Sequence, residues 1–138
     1  MIKKITSEIS DLYITGPAGY NEIIPLLRLA FHELIEEKNI SVFPQIMSHD
    51  LKIYKYNEVW DYQLTYRYIQ QLISEYKKIE FLPLEMLLLN GIYVTLKFTE
   101  TLHKFDGTVT KHKFISIFDI ESNRIRNIWE LSVEGNPL

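Results

Sequence analysis

Few residues of this sequence combine reactive side chains with useful spacing. His49 and Asp50 are adjacent, and a neutral imidazole near a carboxylate can act as a general base at pH 7. Adjacent residues of a strand point to opposite faces, however, so the two do not form a simple dyad, and capping the start of a strand is the plainer role for Asp50. Lys97 sits mid-strand among aromatic residues. A lysine so placed binds a carboxylate or an enolate, or shifts its own pKa when buried; a lysine snorkelling to solvent from a partly exposed strand has the same spacing. Glu100 with Lys113, and Asp119 with Arg126, fall opposite each other if the C-terminal strands pair as set out below. Each is either a buried carboxylate with a raised pKa or, more simply, half of a cross-strand ion pair. His103 and His112 come near one hairpin end, and His32 precedes Glu36 by one helical turn. Two histidines without an acidic third ligand at defined spacing do not make a metal site, so neither metal nor cofactor is expected. The sequence has no Gly-rich phosphate loop, nucleophile elbow or zinc motif.

Helices must come first and strands second to position these groups. Ile2, Ile5, Ile9 and Leu12 recur at helical spacing, and Thr15-Gly16-Pro17-Ala18-Gly19 breaks that segment. Asn21 caps a second helix that runs to about Lys38, with Ile23, Leu27, Phe31, Leu34 and Ile35 on its buried stripe and Asn39 as its stop. Ser41 to Tyr56 reads as extended. Asn57 caps a third helix carrying Trp60, Tyr62, Tyr66, Ile69, Leu72 and Tyr76. That aromatic stripe suits core packing or the mouth of a cavity. From Ile79 the period changes to two. One strand runs to Asn90-Gly91, and Ile92 to Phe105, Val109 to Ile120 and Arg124 to Val133 follow. Asp106-Gly107 and Ser122-Asn123 are the two-residue turns between them.

Those turns fix a register. Lys97 falls opposite Ser116, and Ser116 opposite Trp129. One face then carries Ile92, Val94, Leu96, Phe98, Glu100, Ile115, Ile117, Ile128 and Glu130. The other carries Tyr93, Lys97, His112, Phe114, Ser116, Phe118, Asn127 and Trp129. Both faces are apolar, so one should meet the helices and the other a second subunit. The expected class is α+β: helices packed on a curved antiparallel sheet.

Composition narrows the function. The chain has 138 residues, 46% of them hydrophobic and 24% charged, with no cysteine and a net charge of −3. One domain spanning 1–138 is expected at this length. A disulfide framework, a thiolate zinc site and a cysteine nucleophile are excluded. No basic stripe interleaved with aromatics supports nucleic-acid binding. Polar residues Thr6, Ser7, Glu8 and Ser10 interrupt the start where a signal peptide needs an apolar run, and no run is long enough to cross a membrane. A soluble, cytoplasmic protein is expected.

The C-terminal half resembles a known family. Asp106-Gly107-Thr108, Lys113-Phe-Ile-Ser-Ile-Phe-Asp-Ile, Ser122-Asn-Arg-Ile and Asn127-Ile-Trp-Glu-Leu are similar to the closing strands of SnoaL-like proteins of the nuclear transport factor 2-like superfamily. Ser48-His49-Asp50-Leu-Lys-Ile resembles the family's first strand. The resemblance implies a cone-shaped roll, a bent antiparallel sheet around N-terminal helices and an apolar cavity, with homodimers through the sheet common. Members include cyclases, isomerases, dehydratases and noncatalytic modules. The tail Trp of the family tends to face the cavity. That implies a pocket of Tyr54, Trp60, Tyr93, Lys97, Phe114, Ser116, Phe118, Asn127 and Trp129, with His49, Asp50 and Lys97 as candidate catalytic groups. The family's catalytic positions do not carry over. Phe31 stands where ketosteroid isomerases place a Tyr donor, Tyr54 and Lys55 where they place the base, Ser116 near their second carboxyl, and Val133 where cyclases have an Asp. The resemblance therefore implies one of two functions. The first is binding of a small apolar ligand, aromatic or polycyclic, with cofactor-independent isomerase, cyclase or dehydratase chemistry beside a carbonyl. The second is a noncatalytic dimeric ligand-binding or protein-interaction module.

Overall fold

The computed structural model describes residues 20–132, so the segment expected to be helical over 2–13 and the break after it lie outside the described residues. Helix α1 (Tyr20–Arg28) continues into a wider π-helical stretch, Leu29–Glu36, where a uniform α-helix to Lys38 was expected. Ile24, Leu27 and Leu34 are fully buried and Phe31 nearly so. The helix ends at Glu36 with Glu37 as its cap, two residues short of the expected end at Lys38. Lys38 adopts φ 60° and its ammonium donates to the carbonyls of Tyr76 and Lys77. Both contacts fix the end of one helix against the end of another.

Residues 41–46 are helical, not extended. A 3-10 turn at Ile40–Val42 leads into α2 (Phe43–Ile46), with Pro44 in its first turn. Val42, Phe43 and Ile46 are buried at helical spacing, which a strand could not achieve. Strand β1 (Met47–Tyr54) follows, and β2 (Val59–Asp61) folds back on it with Trp60 opposite Ile53. The next helix, α3 (Tyr62–Glu75), therefore starts later than expected. Its cap is Asp61, whose Oδ1 accepts a hydrogen bond from Leu64 N at 2.9 Å, and not Asn57. The expected strand over 79–90 is two strands, β3 (Lys78–Glu80) and β4 (Leu84–Asn90). Pro83 between them has no N–H to give to a ladder.

Strands β5 (Tyr93–His103), β6 (Val109–Glu121) and β7 (Arg124–Ser132) complete a curved, unclosed sheet of order β2-β1-β7-β6-β5-β3, with β4 also on β5. The sheet is mixed: β1 and β7 pair in parallel, and the other neighbours are antiparallel. This is the α+β architecture expected, with one parallel pair inside it.

The register departs from expectation at two points. Lys104 N donates to Thr108 O at 2.8 Å, and Gly107 adopts φ 94°, so Phe105-Asp106-Gly107 forms a three-residue loop. Lys97 therefore pairs with Ile115, not Ser116. The Ser122-Asn123 turn forms as expected, both residues at positive φ. A bulge beside Asp119 then leaves Arg126 unpaired, so Ser116 meets Glu130 rather than Trp129. A slip of one residue turns every side chain to the other face. The two slips cancel between β5 and β7, and only β6 is reversed. The inner face, toward the helices, carries Leu96, Phe98 and Glu100 with His112, Phe114, Ser116 and Phe118 and with Ile128 and Glu130. The expected pairs of Glu100 with Lys113 and Asp119 with Arg126 do not form. Glu100 lies opposite His112, and Asp119 opposite Asn127.

The capping assignment can be checked directly. Asp61→Ala is expected to cost about 1 kcal/mol of unfolding free energy by urea denaturation. Asn57→Ala is expected to stay within about 0.5 kcal/mol of the parent.

Candidate functional site

A cavity of about 130 Å³ lies between the π-helical stretch, α3 and the inner face. Its apolar wall is aromatic. Phe31 packs its ring centroid 5.0 Å from Phe81, 5.1 Å from Phe98 and 5.9 Å from Phe118. The wider π-helical turns bring Ala30, Phe31, Leu34 and Ile35 all to the cavity. From α3, Thr65, Tyr68, Ile69 and Leu72 face it at helical spacing.

Polar groups gather on one part of the wall. Lys55, just past β1, places Nζ 2.6 Å from Glu130 Oε1 and 4.3 Å from the centre of the Trp60 ring. Glu100 continues the apolar alternation of β5 and its side chain is only 12% exposed, with Oε1 3.5 Å from His112 Nδ1. Burial pushes the Glu100 carboxyl above the ordinary range. His112 and Lys55 pull it back, and the charge of Glu130 adds to the rise. The Tyr68 phenol is pushed up to about 12, first by burial and then by Glu100 and Glu130, so it remains an O–H donor at neutral pH. A carboxyl group, an ammonium and a protonated phenol thus border one apolar space.

The residues expected to form the pocket are divided by the reversal of β6. Trp60, Phe114 and Phe118 line the cavity. Ser116 is on the inner face and buried, but not on the cavity wall. Tyr54, Tyr93, Lys97, Asn127 and Trp129 lie on the outer face. There Tyr54 stacks on Trp129 at 5.6 Å, Tyr93 contacts the same indole at 6.4 Å, and Asn127 Nδ2 donates to Asp119 Oδ2 at 2.8 Å. Lys97 is exposed opposite Glu85. The expectation that the tail Trp looks inward therefore fails for Trp129, because β7 keeps its parity with β5. His49 is exposed against the Tyr62 ring, at 5.2 Å. A hydrogen bond from Ser48 and the nearby Arg126 guanidinium hold the exposed Asp50 carboxyl below its ordinary range. Neither residue touches the cavity.

Lys55, Tyr68 and Glu130 were not expected at the site, and for Glu100 the structure favours the carboxyl with a raised pKa over the simpler ion pair with Lys113. A signal for the carboxylates was present. Glu100 and Glu130 extend strictly alternating apolar sets, Val94-Leu96-Phe98 and Ile128, onto a face that must be buried. The other histidines have structural partners: His32 with Glu36 at 3.0 Å, and His103 with Glu80 at 2.7 Å. Among the described residues no three His, Asp or Glu side chains come together as a metal site.

Known proteins match this geometry by shape. No family model and no curated protein matches the sequence. A solved nuclear transport factor 2-like protein from Anabaena variabilis superposes with a TM-score of 0.69 at 12% identity, covering 87% of this chain and 96% of its own. A candidate SnoaL-like polyketide cyclase from Jannaschia gives 0.69 at 13% identity over 85% and 88%. A candidate polyketide cyclase from Acidithiobacillus ferrooxidans gives 0.64 at 14% over 80% and 87%. This chain has the nuclear transport factor 2-like fold. Phe31 and Lys55 both line the cavity.

The raised Glu100 carboxyl has a signed consequence. The folded protein holds this proton more tightly than the unfolded chain, so the stabilisation is complete in acid and is lost as pH rises through the raised pKa. Glu100→Gln is neutral at every pH. The variant is expected to match the parent in acid and exceed its stability at neutral pH, as measured by urea denaturation across a pH series. A variant less stable at neutral pH would show that the charged form is the favoured one.

Proposed function

We propose that this protein binds a compact, mainly apolar carbonyl compound in the cavity and moves a proton beside its carbonyl group with its own side chains. The observation that carries the reading is Glu100, a largely buried carboxyl bordering an aromatic cavity next to His112. A carboxyl group whose pKa is raised by burial takes and returns a proton more readily than an ordinary surface carboxylate. The Tyr68 O–H and the Lys55 ammonium supply donor and positive charge for a developing enolate in a site of low dielectric. The structural neighbours described as polyketide cyclases, at 10–14% identity, support carbonyl chemistry as a direction.

Volume restricts the ligand. Drug-sized sites measure roughly 300–1,000 Å³, and a cavity of about 150 Å³ accommodates benzene. A space of about 130 Å³ suits one small ring or a short branched chain and not a polycycle. The same small volume favours a second reading, a noncatalytic module whose interior is largely filled by Phe side chains.

Hydrogen–deuterium exchange separates the two. With cyclohexanone in heavy water, the parent is expected to speed exchange at the α-carbon, followed by NMR, and Glu100→Gln to lose about a hundredfold. No acceleration by the parent with any single-ring ketone would leave the noncatalytic reading.

The outer face is assigned in the same proposal to a second copy of this chain. Trp129 is 39% exposed beside Tyr54, Tyr93, Ile117 and Leu131, which are also exposed, and an apolar patch of this kind favours association. Sedimentation is expected to give a dimer for the parent and a monomer for Trp129→Glu. A monomeric parent would remove this part of the proposal.

A further inference from the structure

Thr65 has no place in the chemistry above. It lies in the first turn of α3, faces the cavity and is 2% exposed. Its hydroxyl has no hydrogen-bond partner among the described residues. Threonine in a helix commonly donates back to a carbonyl one turn earlier, and buried hydroxyls nearly always find a partner. Valine would fill the same volume without a polar atom to satisfy. The other polar groups of the wall differ: Lys55 has Glu130, Glu100 has His112, and Trp60 Nε1 donates to Glu58 at 2.6 Å. Depth differs as well. Tyr68, one turn along the same helix, is 42% exposed and marks the rim, whereas Thr65 is closed off from solvent.

We infer that the Thr65 hydroxyl is the inner anchor of the cavity and hydrogen-bonds a neutral hydroxyl or carbonyl group of the bound molecule. This deepens the proposed ligand-binding reading and rests on it. Phe31, Phe118, Ile69 and Ile128 contribute to the apolar wall of the same cavity. A charged group on Thr65 would exchange its hydration for a single neutral hydroxyl, so carboxylate and ammonium ligands are disfavoured there. A pure hydrocarbon would leave the hydroxyl unmet. The ligand class is therefore a small ring or branched chain with a neutral polar substituent at the end that enters first, besides the carbonyl group that Tyr68 and Lys55 meet nearer the rim.

Phenol and toluene, nearly equal in shape, test this by calorimetric titration of the full chain, its Thr65→Val variant and its Thr65→Ser variant. Phenol is expected to bind Thr65→Val about five- to tenfold more weakly than the parent, the worth of one hydrogen bond. Toluene should bind both about equally, and Thr65→Ser should restore phenol. Thr65→Val without ligand is expected to melt higher than the parent, because a buried unmet hydroxyl is gone. Equal phenol affinity in parent and Thr65→Val, with toluene still bound, would overturn the anchor and leave the cavity reading intact. Loss of both ligands in Thr65→Val would overturn it in favour of a structural role. If neither compound binds the parent, the ligand-binding reading fails first and the anchor with it.

Discussion

The register of β6 against β5 governs everything on the inner face. It is set by a local event, the closure of Phe105-Asp106-Gly107 as a three-residue loop. Asp106 Oδ1 accepts from Thr108 N at 2.9 Å and Gly107 takes a positive φ that other residues rarely adopt. With that loop, His112, Phe114 and Phe118 face the helices together with Phe98 and Glu100. With a two-residue loop, Lys113, Ile115 and Ile117 would face them, and Glu100 would meet a lysine. The difference between a buried carboxyl beside an imidazole and an ordinary surface ion pair is one residue of loop.

Packing and electrostatics then work in opposite directions at the cavity. The Phe31, Phe81, Phe98 and Phe118 cluster ties the π-helical stretch to the sheet, and burying such side chains contributes about 1.5–3 kcal/mol each. That stability permits a polar group in the same space to sit in an unfavourable state. Glu100 is largely withdrawn from solvent on an aromatic cavity wall, and its partners offset only part of the desolvation. A carboxyl held above its ordinary range on a cavity wall costs stability, and such groups cluster at functional sites.

Much of the fold was legible in the sequence. The stripe of Ile23, Leu27, Phe31 and Leu34, the alternation of β5, and the Ser122-Asn123 turn each follow from one dominant local preference. The misread features were those in which two preferences compete. Asn57 is a good cap, but Val59 and Trp60 pair with β1 first, so the helix waits for Asp61. Asp106-Gly107 suits a two-residue turn, yet the same glycine also serves a three-residue loop with a bulge. The candidate site inherited that ambiguity. Trp60, Phe114 and Phe118 reach the cavity, while Lys97, Asn127 and Trp129 went to the outer face with β5 and β7. Lys55 and Tyr68 were illegible, because they belong to a strand end and a helix that only the tertiary fold brings together.

The most direct measurement is an NMR titration of the Glu100 side-chain carboxyl carbon, with and without a bound single-ring ketone. The expected result is a midpoint above the ordinary carboxylate range that moves when the ketone binds. A Glu100 that titrates in the ordinary range and ignores the ketone would contradict a buried proton-transfer group at a ligand cavity.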